Sequence, residues 1–362
     1  MKHLLLAAAL FGCLTSAAET PWKPAGDRIK TRWAAEVDPA APLPEYPRPL
    51  WYETTFEVPA AWRRGNDVLL HFGAVDWRAE VYVNDLLVGS HTGGYTPFSF
   101  DITPALSAKG VQKLTVKVTD STDKGFQPHG KQVLEPHGIW YTPVTGIWQT
   151  VWIEPVPAAN RIEGITTRSD IRAGVLSVDV KIARTGSDRV CVTLSADGKT
   201  LAERSSMAGQ PVHLAVEHPR LWSPDDPYLY DLTVTLVRDG RVIDRAESYA
   251  ALREIATGRD ANGIERMTLN GRPLFHFGPL DQGWWPDGLY TAPTDEALLY
   301  DIRFTKQLGF NMIRKHIKVE PERWYWHCDR EGILVWQDMP SGDMSTGKWE
   351  PHAFGGVVRQ LL

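Results

Sequence analysis

The fold of the last third of the chain is decided by Leu269–Asp343, which contains LNGRPLFHFGPLDQG and, further on, NMIRKHIKVEPERWYWHCDREGILVWQDMPSGD. Short apolar runs alternate here with helical patterns, and this alternation predicts a parallel sheet with helices between its strands. The predicted strands are 273–278, 310–314 and 333–337. We expect Thr294 to cap the first helix and Gly309 to end it, whereas Pro321 begins the second helix and Gly332 ends it.

These units are the expected opening of a (β/α)8 TIM barrel that the chain does not complete. Such a barrel needs roughly 250 residues, and only 106 run from Thr257 to Leu362. Three βα units would leave an unpaired strand edge and uncovered apolar faces. We therefore expect an incomplete barrel over residues 257–362, in a chain truncated by a frameshift, an early stop or an assembly error.

The residues before the barrel predict two all-β domains. Short alternating runs at 51–58, 68–72, 79–83, 86–90, 98–102, 114–119 and 149–154 favour a jelly-roll β-sandwich over residues 19–155. Pro155-Val156-Pro157 marks a boundary. Further strand candidates at 175–182, 189–195, 212–216, 228–237 and 242–248, with turns at Asp197-Gly198 and Asp239-Gly240, favour an immunoglobulin-like β-sandwich over residues 156–256.

The N-terminus has the pattern of an export signal. Positive charge at residues 1–3 precedes an apolar run at residues 4–11, and Ser16-Ala17-Ala18 suits cleavage. The run is too short to span a bilayer. Residues 1–18 are therefore predicted to be a signal peptide, which implies a periplasmic or extracellular protein. Cleavage after Ala18 is favoured over lipidation of Cys13, and the remaining Cys191 and Cys328 are expected to be unpaired.

Composition and motifs exclude several classes of function. A net charge of −5 shows no basic bias, so nucleic acid is not expected as a partner. The sequence contains no metal-ligand spacing, no phosphate-binding loop and no nucleophile elbow. We therefore expect neither a metal nor a cofactor, and no transmembrane segment.

Short motifs recur in a fixed order along the three predicted domains, at 51–56, 72–76 with 81–84, 146–149, 221–224 with 227–230, 269–273, 311–314, and 328–330 with 332. These motifs and the order of the domains resemble glycoside hydrolase family 2, the family of β-galactosidases, β-glucuronidases and β-mannosidases. That resemblance implies a sugar-binding jelly roll, an immunoglobulin-like domain and a catalytic barrel, with carbohydrate as the partner. It implies hydrolysis of O-glycosyl bonds of terminal β-linked sugars with retention.

The resemblance also indicates which residues bind substrate. The family pattern is Asn-x-apolar-Arg, two small residues and His-Tyr. Asn311 and Arg314 match it, Lys315 replaces a small residue, and His316 comes one position early.

Because barrel sites lie at the carboxyl ends of the strands, the substrate-binding candidates are Arg314, Asp338, Asp281 and His316. The guanidinium of Arg314 can hold a sugar hydroxyl or a carboxylate. The alternatives are that Arg314 only pairs with Asp338, that Asp281 is a loop residue, and that His316 is structural.

No catalytic residue is assigned. Retaining glycosidases use two carboxyl groups about 5–5.5 Å apart, and in this family both are glutamates on later strands, with the acid/base after an asparagine. No Asn-Glu pair follows Asp343, so we expect the isolated chain to be inactive. Glu320 and Glu322 are interpreted as charges at a helix N-terminus.

The alternative function is a non-catalytic carbohydrate-binding protein that uses the jelly roll. The resemblance also implies that this domain contributes a loop to the active site, and residues 137–140 are the candidate for that loop.

Overall fold

The computed structural model describes residues 49–125 and 127–342. The predicted signal peptide, Cys13 and the residues after 342 lie outside the described part of the chain. Within that part, no helix is long and apolar enough to cross a bilayer.

The first β domain, residues 49–157, consists of antiparallel sheets packed face to face. Its strands are β1 (Leu50–Phe56), β2 (Asn66–Phe72), β3 (Val75–Asp76), β4 (Arg78–Val83), β5 (Leu86–Thr92), β6 (Phe98–Asp101), β7 (Gln112–Thr119), β8 (Gly146–Ile147) and β9 (Val151–Pro157). The strand orders are β1-β7-β4-β5 and β6-β2-β9, with β3-β8 as a separate pair. Alternate residues of both sheets meet in a common core that includes Leu70, Phe72, Val81 and Val116. The prediction of an all-β region is confirmed.

The middle β domain, residues 160–253, also pairs two antiparallel sheets. Its strands are β10 (Ile162–Asp170), β11 (Val175–Ile182), β12 (Arg189–Ala196), β13 (Lys199–Met207), β14 (Val212–Ala215), β15 (Tyr230–Arg238) and β16 (Arg241–Ala250). The strand orders are β10-β11-β14 and β13-β12-β15-β16. Asp197-Gly198 and Asp239-Gly240 have positive φ angles and connect neighbouring strands, as hairpin turns require.

A hairpin leads from the middle β domain into a small parallel sheet. The hairpin comprises β17 (Ile255–Arg259), β18 (Glu265–Leu269) and β19 (Arg272–Pro273). The parallel-strand region, residues 280–342, contains β20 (Leu280–Asp281), α1 (Asp295–Gln307), β21 (Met312–Lys315), α2 (Glu322–Glu331) and β22 (Leu334–Gln337). The hydroxyl of Thr294 accepts the Ala297 N–H at 3.1 Å, and Gly332 ends α2 in the left-handed conformation. Both predicted helices are confirmed.

The predicted first parallel strand, 273–278, is wrong. Pro273 belongs to the antiparallel hairpin, and the first parallel strand is β20. The side chain of Asn311 holds the segment between them, because its amide donates to the Phe275 carbonyl at 2.8 Å and accepts the Phe277 N–H at 2.9 Å. The main-chain N–H of Asn311 also donates to the Phe277 carbonyl at 3.0 Å, so Asn311 holds this segment through both its side chain and its main chain.

Both cysteines in the described ranges are free thiols, as expected. Cys191 is half-buried in β12 of the middle β domain. Cys328 is 1% exposed on α2, in a cluster with Ile313 and Trp324. Burial raises the pKa of the Cys328 thiol well above its usual range.

Trp222 joins the middle β domain to the parallel-strand region. Its fully buried indole donates to the Asp329 carbonyl at 2.7 Å, and its own carbonyl accepts from Asn270 at 3.0 Å. Arg253 lies 4.5 Å above the ring and pairs with the Asp329 carboxylate at 3.0 Å. The side chains packed around Trp222 come from the hairpin and the parallel strands and include Leu269, Met312 and Leu334.

We expect Trp222→Ala to lower the free energy of unfolding by about 3–5 kcal/mol. The substitution leaves a cavity where the middle β domain, the hairpin and the parallel strands meet. Trp222→Phe keeps most of the packing but removes the indole donor, so a loss of about 1–3 kcal/mol is expected. Urea unfolding followed by far-UV circular dichroism measures both. Trp152→Ala is the matched control, since Trp152 is 43% exposed. Equal losses for Trp222→Ala and Trp152→Ala would contradict this role.

Candidate active site

Three of the four predicted substrate-binding residues meet at the carboxyl ends of β21 and β22. Arg314 donates through Nε and Nη2 to the two carboxylate oxygens of Asp338, at 3.1 and 2.9 Å. Nδ1 of His316 lies 2.6 Å from Asp338 Oδ2. A bidentate pair of this kind fixes the orientation of both the guanidinium plane and the carboxylate plane. The side chains of Arg314 and Asp338 are 45% and 22% exposed, so a ligand can still reach them.

Arg314 and Asp338 hold each other in their charged forms. Burial alone would raise the pKa of Asp338, but hydrogen bonds from Arg314 and His316 outweigh it and lower that pKa. The hydrogen bond to Asp338 in turn raises the pKa of Arg314. The cluster therefore presents a fixed carboxylate that can accept hydrogen bonds from sugar hydroxyls.

The carboxylate of Asp281 does not join this cluster. Its Oδ2 accepts from Lys315 Nζ at 2.6 Å, and its Oδ1 accepts the Gly283 N–H at 2.7 Å. Lys315 follows Arg314 on β21, so the two side chains point to opposite faces of the sheet. Only the main chain of Asp281 approaches the cluster, where its carbonyl accepts the His316 N–H at 2.8 Å.

The interpretation of Glu320 as a charge at a helix N-terminus needs correction, because Glu320 precedes the N-cap Pro321 and its carboxylate contacts two lysines. Glu320 is 1% exposed, and its Oε1 lies 2.8 Å from Lys315 Nζ and 3.0 Å from Lys318 Nζ. Two buried ammonium groups need a counter-charge, and Glu320 turns inward to supply it. Glu322 does lie in the first turn of α2. We call Asp281, Lys315, Glu320 and Lys318 the buried charge chain.

The two lysines of the buried charge chain respond differently to burial. For Lys315 the desolvation is outweighed by Glu320 and Asp281, and its pKa is raised. For Lys318 the desolvation dominates and lowers the pKa to about 8. Lys318 also donates to the carbonyls of Gly283 and Tyr290, at 2.6 and 3.0 Å. The loop after β20 is thereby tied to the segment after β21.

The end of β22 is positioned by neighbouring polar groups. The Tyr325 hydroxyl donates to Gln337 Oε1 at 2.5 Å, and Gln337 Nε2 donates to the Lys318 carbonyl at 2.8 Å. The Asp338 N–H donates to the Lys315 carbonyl at 3.0 Å. The main-chain carbonyls of Lys315 and Lys318 therefore position the end of β22 and Asp338.

The first β domain reaches this edge through residues on either side of the predicted loop. The N–H groups of His129 and Gly130 both donate to the Ser341 carbonyl at 2.9 Å. The ring of Tyr141 meets Trp284 edge-on, with centroids 4.9 Å apart. Within residues 137–140, Ile139 is 63% exposed, and the contribution of this loop to an active site stays a prediction.

Sequence reasoning missed Lys315, Lys318 and Glu320 as parts of the site. The available signal was the spacing Lys-x-x-Lys-x-Glu directly after an apolar strand, at the edge where substrate was expected. Within residues 49–125 and 127–342, no group of three or more His, Cys, Asp or Glu side chains could hold a metal ion.

We expect Lys318→Met to change how stability depends on pH. The folded-state pKa of Lys318, about 8, lies below its ordinary 10.5. The unfolded chain therefore binds more protons between these values, and stability rises with pH in that window. Between about pH 8 and about pH 9.5, the wild type should gain about 1–2 kcal/mol that Lys318→Met does not gain. Urea unfolding at several pH values measures this difference.

The exposed Lys199 supplies the control for that experiment. Lys199→Met should keep the rise of the wild type. The same slope in Lys318→Met as in the wild type would contradict the assignment of the low pKa to Lys318.

The fold and the site define a multidomain protein with a polar cluster at the end of a parallel sheet. Two family models match it: glycosyl hydrolases family 2, sugar binding domain, over residues 27–157, and glycosyl hydrolases family 2, over residues 160–253. The chain belongs to glycosyl hydrolase family 2, which confirms the resemblance found in the sequence.

Curated relatives match most of this chain but extend well beyond it. The β-galactosidase of Thermoanaerobacter pseudethanolicus is 26% identical over 336 residues, covering 86% of this chain and 42% of the relative. The β-galactosidase BoGH2A of Bacteroides ovatus is 29% identical over 326 residues, covering 84% and 35%. The β-glucuronidase of Rattus norvegicus is 26% identical over 333 residues, covering 85% and 49%. The chain thus spans less than half the length of these three proteins.

Solved structures share the fold. A β-glucuronidase from Ruminococcus gnavus, in complex with N1-substituted uronic isofagomine, matches with a TM-score of 0.72 at 24% identity, over 86% of this chain and 54% of that one. A β-glucuronidase from Bifidobacterium dentium, complexed with coumarin-3-O-glucuronide, matches with a TM-score of 0.69 at 25% identity, over 81% and 53%.

Proposed function

We propose that this chain supplies the two β domains and the first part of the catalytic barrel of an exported glycoside hydrolase that cleaves terminal β-linked sugars with retention. The observation that carries the proposal is the cluster of Arg314, His316 and Asp338 at the carboxyl ends of parallel strands, where (β/α)8 barrels hold their sites. Family membership and relatives named as β-galactosidases and β-glucuronidases support it. The signal-like residues 1–18 support export.

In this proposal the described residues orient substrate rather than react with it. Asp338, held as an anion by Arg314 and His316, accepts hydrogen bonds from sugar hydroxyls. Retaining hydrolysis also needs an acid/base and a nucleophile about 5–5.5 Å apart. The 362 residues contain no Asn-Glu pair after Asp343. We therefore propose that these residues alone do not turn over substrate.

The protein isolated from its native host is the sample for the test, with 4-nitrophenyl β-galactoside and β-glucuronide as substrates. We expect hydrolysis of at least one substrate, with the β-anomer as the first product by NMR. Arg314→Ala should lower kcat/KM by about 100-fold, because it frees Asp338 and removes a charged contact. The exposed Arg245 gives the control variant Arg245→Ala, which should have no effect.

Two outcomes would contradict parts of the proposal. Release of the α-anomer first would contradict retention. Turnover by the recombinant 362-residue chain would contradict the assignment of the catalytic glutamates to a later part of the barrel.

A second candidate function is non-catalytic carbohydrate binding by the first β domain. The observation in its favour is a pair of exposed indoles, Trp51 at 59% and Trp152 at 43%. Trp152 is held flat by stacking on His71, with centroids 4.8 Å apart. Aromatic faces of this kind suit the apolar faces of sugars.

If the indoles bind sugar, titration of the 362-residue chain with cello-oligosaccharides should quench tryptophan fluorescence saturably. Trp152→Ala should weaken this binding by about fivefold, since a stacked aromatic contact is worth about 1 kcal/mol. Trp336→Ala, which changes an indole exposed to 40% in the parallel-strand region, is the control. Unchanged affinity in Trp51→Ala and Trp152→Ala would exclude this second function.

A further inference from the structure

We propose that residues 29–37 of this chain dock in an apolar groove between the two sheets of the first β domain, with the indole of Trp33 inside the groove. The groove has a volume of about 380 Å³ and lies between β1 and β9, the outermost strands on one side of the sandwich. Leu70, Phe72 and Val116 line it, and each is at most 1% exposed. The groove therefore reaches the core of the domain.

The opposite side of the same sandwich is already closed by aromatic side chains. Phe100 of β6 packs so tightly against β5 that a Cβ added at Gly89 would lie 2.2 Å from its ring. Phe98 stacks on Phe72, with centroids 4.8 Å apart. The side between β1 and β9 has no equivalent filling among the described residues, and residues 51–55 of β1 are exposed on both faces of the strand. A sandwich normally buries the facing sides of both its sheets.

The lining of the groove selects an apolar occupant. Eight of its twelve lining residues are aliphatic or phenylalanine. A saccharide would leave its hydroxyls without partners against such a surface, which is costly. An apolar side chain loses nothing there and gains from leaving water.

The sequence that precedes β1 contains a segment of the required pattern. Residues 29–37 lie outside the described part of the chain, and they read Ile-Lys-Thr-Arg-Trp-Ala-Ala-Glu-Val. Ile29, Trp33 and Val37 fall on one side of a two-residue period, whereas Lys30 and Arg32 fall on the other. Such alternation is typical of a strand with one apolar face.

The match to the family model indicates that this segment belongs to the first β domain. The model of the sugar binding domain matches from residue 27, whereas β1 begins only at Leu50. The matched domain therefore includes residues 27–48, in addition to the strands described above. These residues are the occupant that the domain itself supplies.

The lengths of the segment and of its connection fit the groove. Nine extended residues span about 30 Å, and a strand of seven residues, such as β1 or β9, spans about 23 Å. Residues 38–49 contain five prolines. In the extended polyproline conformation these twelve residues reach about 37 Å. Because packed sheets are only about 10 Å apart, the connection can bring residues 29–37 to either edge of the groove.

Photo-crosslinking of the purified 362-residue chain tests the docking. Benzoylphenylalanine replaces Trp33 in one variant and Ala34 in another, and the irradiated proteins are digested and analysed by mass spectrometry. We expect position 33 to crosslink to peptides that contain β1 or β9 of the same chain. Position 34 should give at least fivefold less of these products, because it lies on the opposite side of the segment. The same substitution at Ile29 repeats the test if the variant at Trp33 fails to fold by circular dichroism.

Binding of the dye 1-anilinonaphthalene-8-sulfonate gives a second, independent measurement. Trp33→Ala should raise the fluorescence of bound dye at least threefold, because it opens the apolar groove to the dye. Trp22→Ala changes a tryptophan outside residues 29–37 and is the matched control, which should bind dye as the wild type does.

Several results would overturn the proposal. Crosslinks from position 33 to a second chain would mean that another copy fills the groove. Crosslinks to other parts of the same chain, or none in a folded variant, would mean that residues 29–37 do not occupy it. Equal dye binding by Trp33→Ala and Trp22→Ala would also contradict it. None of these measurements depends on the proposed hydrolysis.

Discussion

The candidate active site depends on one carboxylate buried between two ammonium groups. Glu320 meets Lys315 and Lys318 at hydrogen-bond distance, and all three side chains are at most 2% exposed. Removing such ions from water costs several kcal/mol each, and only their mutual contacts offset that cost. Lys315 holds the end of β20 through Asp281, and Lys318 holds the following loop. Three chain segments are thereby fixed to one point.

The first β domain also contacts the residues that surround the buried charge chain. The hydroxyls of Tyr95 and Tyr290 lie 3.1 Å apart across the boundary, and Thr291 donates to the Trp148 carbonyl at 2.8 Å. Lys318 lies over the rings of both Tyr290 and Trp148. The low-dielectric environment around the buried charges is therefore built by two domains together.

Local sequence patterns predicted much of the fold but only part of the candidate active site. Arg314, His316 and Asp338 were predictable because each comes at the end of an apolar strand, and parallel strands end at one edge. The strand predicted at 273–278 failed because contacts to a single residue, Asn311, hold that backbone in place of a continuous ladder of main-chain hydrogen bonds. Lys315, Lys318 and Glu320 were missed because lysine and glutamate are normally exposed. Their burial depends on partners that only the tertiary structure brings together.

Within the described residues, Cys191 and Cys328 have unequal surroundings, and this difference makes Cys328 a natural probe of local unfolding. Thiol reagents attack the thiolate, so a buried thiol with a raised pKa reacts only after its surroundings open. Cys328 is enclosed between α2 and the parallel strands, whereas Cys191 is only partly buried in the middle β domain. The labelling rate of Cys328 therefore measures the local opening of the parallel-strand region, and the partly exposed Cys191 gives an internal reference for the reagent.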